Sequence, residues 1–243
     1  MRSEPVSERQ TTRKPITAGE LLDRLERDPL YIARMEEWEE QKERNRREYQ
    51  EAAAPMLWEL AEAGFPVDSL DVFINTAIDY KRVVPILMHW LSRMDDRWVK
   101  ESIVRSLTTR WARPAAAPLL IDEYRRTQDE HLKWAIGNAL SVVADDSAFD
   151  DLVELVRDKS HGRAREMLAV AIANMKNPSA VDVLIELLDD EEIAGHALSA
   201  IRKLGKRAIK ARPHIDRFLS HPKAWVRKEA QRAIAKMGKP SAR

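Results

Sequence analysis

Three residue types are missing or scarce in this 243-residue sequence, namely cysteine, glycine and phenylalanine. There is no cysteine, which excludes disulfide bonds, thiolate nucleophiles, iron–sulfur clusters and cysteine-based zinc sites. Glycine occurs only 7 times and phenylalanine only 4 times, whereas Ala, Leu, Glu and Arg are abundant. Because these abundant residues favour helices, the composition predicts an all-α protein.

Long apolar runs are also absent. No stretch approaches the length of a membrane span, and the first residues, MRSEPVSERQTTRKP, lack the apolar segment of a signal peptide. We therefore expect a cytoplasmic protein. Residues 1–15 are polar and predict a disordered tail, and residues 239–243 predict a second short tail.

Catalytic motifs are missing as well. The six histidines form no HExxH pair, and no GxSxG elbow, glycine-rich phosphate loop or dinucleotide fingerprint is present. Paired aspartates such as Asp95–Asp96 and Asp145–Asp146 precede predicted helices, where we expect them to cap free amides. We therefore expect no catalytic residue, no metal, no cofactor and no enzymatic activity.

Charge is present in quantity and is unevenly distributed. Residues 55–201 contain 16 Lys and Arg against 25 Asp and Glu, whereas residues 202–243 contain 14 against 2. The whole chain has a net charge of only +1. An acidic middle followed by a basic end favours anionic partners at that end, although it also fits a solvated cap.

The amino-terminal residues predict two helices. Thr17 and Glu20 have the spacing of a capping box, and Asp28–Pro29 ends one helix and begins the next. The following stretch is highly charged, and only a thin apolar stripe runs along it. We expect residues 16–54 to be a charged helical extension that covers the first repeat or offers a docking surface.

A repeat begins at about residue 55. Five segments align on an aliphatic anchor, at spacings of 33, 32, 29 and 33: Leu107, Leu140, Ile172, Ile201 and Ile234. The residue before each anchor is always small, and the residues four and eight positions before it are apolar. Offsets of one, four and eight lie on one helical face, so each segment predicts a helix with one buried side.

A second apolar helix precedes each of these segments. Pro85, Pro118 and Pro213 lie near the starts of three of them, where proline is tolerated, and Pro55 gives the same signal earlier. Residues 67–78 would then be the companion of the helix starting at Pro55. The pattern predicts about six helix pairs over residues 55–238, the first of them degenerate.

These features resemble short bacterial HEAT-like repeats, including those of phycobilin lyases. The resemblance rests on the repeat length, on two helices per unit and on a basic residue seven positions before the anchor. This basic residue is present in four of the five aligned segments, as Lys100, Lys133, Arg165 and Arg227, whereas the fourth segment has Ala194 in its place. The resemblance implies a right-handed α-solenoid. It also implies a protein-binding scaffold, although a minority of such arrays bind DNA, among them alkylpurine DNA glycosylases. In such repeats the basic residue is often a partner for carboxylates between repeats.

The candidate binding residues follow from this architecture. The second helices of such arrays usually line the concave face, and exposed Trp among Arg makes a good recognition surface. Trp58 and Trp90 fall in predicted first helices and are expected in the core. The predicted partner-binding residues are Arg97, Trp98, Arg105, Trp134, Asn138, Trp225, Lys228 and Arg232.

Three hypotheses about function remain open at this point. The leading one is a scaffold that binds a protein through its concave face and basic carboxyl-terminal end. The second is nucleic-acid binding by residues 202–243, although Glu101, Glu130, Glu166 and Glu191 would interrupt a cationic groove along the concave face. The third is self-association between the basic end and the acidic middle.

Overall fold

The computed structural model describes residues 16–238, and every regular element in that range is helical. The all-α prediction is therefore confirmed. Both predicted tails, residues 1–15 and 239–243, lie outside the described residues. The chain divides into two compact units, Met1–Glu48 and Tyr49–Arg243, which are called the amino-terminal unit and the solenoid below.

The described residues of the amino-terminal unit form helix α1 (Ala18–Leu25) and the first part of α2 (Pro29–Glu62). The predicted capping box is present: the Glu20 amide donates to Thr17 Oγ1 (3.3 Å), and the Thr17 amide donates to Glu20 Oε2 (2.8 Å). Throughout residues 16–48 the side chains are exposed, apart from the half-buried Leu25 and Tyr31. The described part of this unit, residues 16–48, therefore has two helices without a core.

Helix α2 corrects one prediction, because it continues through Pro55 instead of beginning there. A proline inside a helix removes one hydrogen bond and costs about 3 kcal/mol. Met56 and Leu60 are fully buried within the solenoid. Burying each such side chain contributes about 1.5–3 kcal/mol, which is enough to offset the proline and keep the helix continuous.

The solenoid continues with short α-helices joined by turns and 3-10 helices. Their bounds are α3 (Asp71–Asn75), α4 (Val84–Leu91), α5 (Arg97–Ser106), α6 (Ala117–Arg126), α7 (Glu130–Val143), α8 (Phe149–Arg157), α9 (Glu166–Asn174), α10 (Ala180–Glu186), α11 (Ala194–Leu204), α12 (Arg212–Ile215) and α13 (Ala224–Met237). Longer 3-10 segments, Lys159–Arg165 and Gly205–Ala211, precede α9 and α12.

Helices α4 to α13 form five pairs, in which α5, α7, α9, α11 and α13 are the second helices. Pro85, Pro118 and Pro213 lie in the first turns of α4, α6 and α12, as predicted. The first pair is degenerate: residues 67–78 form only the short α3. The Asp71 amide donates to Ser69 Oγ (3.1 Å) at the start of the helix, and the extended backbone of Thr76 ends it.

The repeat columns form the core of the solenoid. The anchors and the residues one, four and eight positions before them are all buried, with Ile234 as the one exception. Ile234 is partly buried because it lies on α13, the last second helix of the described residues. Each second helix contacts the next in the order α5, α7, α9, α11, α13. The chain is thus an α-solenoid, as the repeat pattern predicts.

Trp58 and Trp90, which the sequence places in the first helices of two pairs, differ in their exposure to solvent. Trp90 is partly buried against the core, and its Nε1 donates to Glu59 Oε2 (2.9 Å). Trp58 is 65% exposed, so the prediction that it is a core residue is wrong. Met56 and Leu60 are four residues apart and share the buried face, whereas Trp58 lies between them and points to the opposite side.

None of the helices in residues 16–238 combines the length and the apolar character needed to cross a membrane. The longest, α2, has 34 residues, but most of its surface residues are charged or polar.

Candidate protein-interaction surface

The exposed side of the second helices is called the second-helix face here, and it contains all eight predicted binding residues. Arg97, Trp98 and Arg105 lie on α5, and Trp134 and Asn138 lie on α7. The other three, Trp225, Lys228 and Arg232, lie on α13. Helices α9 and α11 intervene between α7 and α13, so the structure divides these residues into an α5/α7 group and an α13 group.

Trp98 is the most exposed aromatic side chain of the α5/α7 group, at 57%. Its ring is held by Arg97, whose guanidinium carbon lies 4.4 Å from the ring centroid. Arg97 in turn pairs with Asp129 across to the next repeat (3.0 Å). Asp129 is itself the amino-terminal cap of α7, accepting from the amides of His131 and Leu132. An exposed tryptophan is therefore held in place by two helices.

The rest of the α5/α7 group presents little unbalanced charge. Arg105 pairs with Glu101 one turn earlier, at 2.6 Å between Nη2 and Oε1. Trp134 is 40% exposed, and Asn138 is partly buried one turn further along α7. With Arg97 and Arg105 both paired, aromatic surface is the main feature this group offers to a partner.

Trp225 in the α13 group has a clear packing role. Its ring covers Gly195 on α11, so that a Cβ placed there would lie 1.9 Å from the ring. It also packs against His196, with 5.8 Å between the ring centroids. Trp225 nevertheless remains 47% exposed. One side of the ring thus joins α11 to α13, and the remainder faces solvent.

The charges of the α13 group are partly neutralised by Glu229. This carboxylate accepts from Arg202 on α11 (2.7 Å) and from Arg232 (3.0 Å). Burial raises the pKa of Glu229, but the hydrogen bonds and charges of the two arginines lower it by a larger amount, so the net shift is downward. Lys228 is exposed and forms no ion pair with any residue of 16–238. One carboxylate shared by two arginines leaves part of their charge unbalanced, and Lys228 adds a further unpaired cation to the group.

The middle of the face is occupied by a buried carboxylate. Glu166 on α9 is only 6% exposed and pairs with Arg163 (2.9 Å). It also lies 3.7 Å from His196. Burial lowers the pKa of His196, and Glu166 opposes part of that shift. The expectation that Glu166 interrupts a cationic groove is wrong, because its side chain is buried in the protein. Of the other glutamates in that expectation, Glu130 and Glu191 are exposed.

A family model described as HEAT repeats matches residues 84–173 and residues 117–198. Residues 84–198 of this chain therefore consist of HEAT-like repeats. No curated protein matches it.

Among solved structures, the HEAT-like chain is similar to designed armadillo repeat proteins. One of them, in complex with the peptide (KR)4, is 18% identical, with a TM-score of 0.47 over 79% of this chain and 91% of that one. Another is 18% identical, with a TM-score of 0.45 over 79% of this chain and 93% of that one. Folds of this repeat class generally serve as scaffolds for protein binding.

The basic column of the HEAT-like repeats has a structural role. Arg165 is 1% exposed and binds Asp190 (2.7 Å) and Glu192 (2.8 Å) of the next repeat. Burial raises the pKa of Asp190, but the hydrogen bond and charge of Arg165, together with the hydrogen bond from the Glu192 amide and the charge of Lys159, give a net shift downward. Lys100 likewise binds Glu123 (2.8 Å). The expected pairing with carboxylates between repeats is confirmed at these two positions.

The other two members of the column use different acceptors. Lys133 is 5% exposed and lies 2.9 Å from His161 Nδ1. Burial and the adjacent Lys133 lower the pKa of His161, which favours the neutral imidazole. Arg227 donates to the carbonyl oxygens of His221 (2.6 Å) and Pro222 (2.9 Å). These cations are engaged within the fold and contribute little to a binding surface.

Two residues that organise the face carry only faint sequence signals. Asp129 caps α7 and holds Arg97, but it resembles any other aspartate before a helix. Gly195 occupies the position six before its anchor, where other repeats have larger residues, and that gap accommodates Trp225. Within residues 16–238 no three His, Asp or Glu side chains are grouped so as to hold a metal ion.

Proposed function

We propose that this HEAT-like protein is a non-enzymatic cytoplasmic scaffold that binds a protein partner through the second-helix face. The observation that carries the proposal is the placement of Trp98, exposed yet held by Arg97 and Asp129. Binding hot spots are enriched in Trp and Arg. A side chain that is already ordered loses less conformational entropy on binding, so its contact area contributes more fully to affinity.

The two groups of the face would make different contributions. The α5/α7 group has paired charges and two exposed rings, Trp98 and Trp134, which suits an apolar or aromatic segment of the partner. The α13 group adds Lys228 and Arg232, which would attract an acidic region and mainly increase the association rate. We expect the α5/α7 group to determine most of the affinity.

The test begins with affinity capture from the host lysate, followed by titration of the captured protein against purified variants. Trp98→Ala combined with Trp134→Ala should weaken binding by roughly thirtyfold, the effect of losing about 2 kcal/mol. The matched control is Trp58→Ala, because Trp58 is at least as exposed and lies on α2, outside the face. Equal affinities for all three proteins would reject the proposal.

Nucleic-acid binding is the alternative, and the observation in its favour is a set of free lysines. Arg202, Lys210 and Arg217 of the basic segment pair with carboxylates. Among residues 202–238, the exposed lysines that form no ion pair are Lys203, Lys206, Lys223, Lys228 and Lys236. These could contact phosphates of either DNA or RNA.

Titration of labelled DNA and RNA at several salt concentrations separates the alternative from the leading proposal. Phosphate binding should weaken steeply with salt and should fall when Lys228→Gln and Arg232→Gln are combined. The Trp98→Ala and Trp134→Ala substitutions should leave it unchanged. Absence of binding at low salt would exclude this function.

A further inference from the structure

The amino-terminal unit has an exposed apolar surface that shares no residue with the second-helix face. Within residues 16–48 no side chain is buried, although large apolar side chains are present and exposed: Ile16, Leu21, Leu22, Leu30, Ile32, Met35 and Trp38. Helices of a globular protein normally bury such side chains against another element. A concentration of exposed apolar residues of this kind marks a site of interaction.

The same unit contains a groove with a strongly acidic lining. It has a volume of about 560 Å³, and its lining residues are Glu26, Tyr31, Ile32, Met35, Glu36, Glu39 and Glu40. Glu40 pairs with Arg44 at 3.4 Å. Glu26, Glu36 and Glu39 form no ion pair with any residue of the described range. The groove thus combines apolar side chains with carboxylates whose charge is not balanced.

We propose that this groove binds a cationic amphipathic helix of a protein partner. The apolar side of such a helix would pack on Ile32 and Met35, which are 40% and 36% exposed. Its flanking Lys or Arg side chains would pair with Glu36 and Glu39. Docking of an amphipathic helix into an apolar groove is a common mode of recognition, and the charges around the groove select the sign of the helix.

The charge of the groove also argues against two other occupants. Pairing the same groove of two copies would place three unpaired carboxylates opposite three more, which is repulsive. A membrane surface rich in anionic lipid would repel the groove for the same reason. A cationic partner helix satisfies both the apolar and the acidic residues.

The test uses the full chain and a labelled 18-residue helical peptide with a leucine stripe and lysines elsewhere, followed by fluorescence anisotropy. We expect saturable binding that weakens with salt, and no binding of the same peptide with glutamates in place of lysines. Ile32→Ser with Met35→Ser should weaken binding roughly tenfold through lost apolar burial. Glu36→Gln with Glu39→Gln should weaken it about threefold and reduce its salt dependence.

The control variant is Glu43→Gln, which removes an exposed carboxylate of α2 outside the groove and should leave binding unchanged. Trp98→Ala should also leave it unchanged, which separates this test from that of the second-helix face. Because Ile32 and Met35 are exposed, the variants should retain the circular dichroism of the unaltered chain.

Four outcomes would overturn the proposal. The first two are absence of peptide binding and binding that neither groove variant weakens. The third is a dimer in light scattering that Ile32→Ser with Met35→Ser abolishes, since a second copy would then occupy the groove. The last is sedimentation of the chain with phosphatidylcholine–phosphatidylglycerol vesicles that depends on the same two residues.

Discussion

Leu22 in α1 and Leu168 in α9 both belong to the apolar side of a helix, but their surroundings are opposite. Leu22 is 54% exposed, whereas Leu168 is fully buried among the repeat columns. Both helices have suitable residues for helix formation, so local propensity does not separate them. The difference is that α9 contacts α7 and α11, whereas none of the described residues around α1, 16–48, is buried. Stacking of neighbours converts an amphipathic pattern into a buried one.

Arginines of the two units show the same contrast. Arg44 pairs with Glu40 along α2, and both side chains are largely exposed. Arg165 binds two carboxylates of the next repeat and the carbonyl oxygens of Val156 and Gly162, and it is almost completely buried. In an exposed ion pair, each charged group replaces water by a partner that stabilises it about equally, so the pair adds little to stability. A buried arginine has lost its water, so its charge is stabilised only by the acceptors that surround it.

The largest effect is expected at Arg165. Arg165→Ala leaves Asp190 partly buried without its cation and should reduce the free energy of unfolding by about 3–5 kcal/mol. Arg44→Ala should reduce it by no more than about 0.5 kcal/mol, because an exposed pair one helical turn apart contributes little. Urea denaturation followed by circular dichroism measures both. A small loss at Arg165 would contradict its role as the link between repeats.

A somewhat smaller effect is expected for leucine truncation. Leu168→Ala should cost about 2–5 kcal/mol, since it removes a buried side chain and leaves a cavity. Leu22→Ala should change the free energy of unfolding by less than about 0.5 kcal/mol. The same denaturation curves report both variants. Equal losses would mean that the apolar side of α1 is buried in solution and would remove the distinction between the two units.

The smallest effect concerns two helical glycines. Gly195→Ala places a methyl group 1.9 Å from the Trp225 ring, and the resulting displacement should cost about 1–3 kcal/mol. Gly19→Ala in α1 meets no atom within 4 Å and should be neutral or stabilising by up to about 1 kcal/mol. Thermal denaturation compares the two.

The Gly195 prediction has an internal control. If the ring is the cause, Trp225→Ala combined with Gly195→Ala should lose less stability than the two single losses added together. Strict additivity would show that the glycine acts independently of Trp225.

Much of the solenoid is predictable because its signals are periodic. The offsets of one, four and eight before each anchor identify the buried face without knowledge of the neighbouring helix. The prediction fails at Trp58, because the pattern gives no indication of which side of α2 faces the core. It also fails at Pro55, where burial of Met56 and Leu60 outweighs the local preference of proline for a helix start.

The candidate site was less predictable than the fold. All eight proposed residues lie on the second helices, since helical spacing places them there. The sequence does not show that Arg97 holds Trp98, or that Trp225 covers Gly195, because these contacts join residues of different helices or depend on side-chain rotamers. Glu166 likewise has the position of a surface residue but is buried by Arg163 and His196.

The sequence by itself determined the all-α class, the repeat, its core columns and the basic charge of residues 202–243. These properties depend on residue type and on spacing along a helix, both of which are local. Only the tertiary structure decided which charges are neutralised, which tryptophans remain exposed and which helices lack a core. Those properties depend on contacts between residues distant in sequence, such as Arg165 with Asp190 and Glu192, which are 25 and 27 positions away. They depend also on the low dielectric of the environment that surrounds these residues.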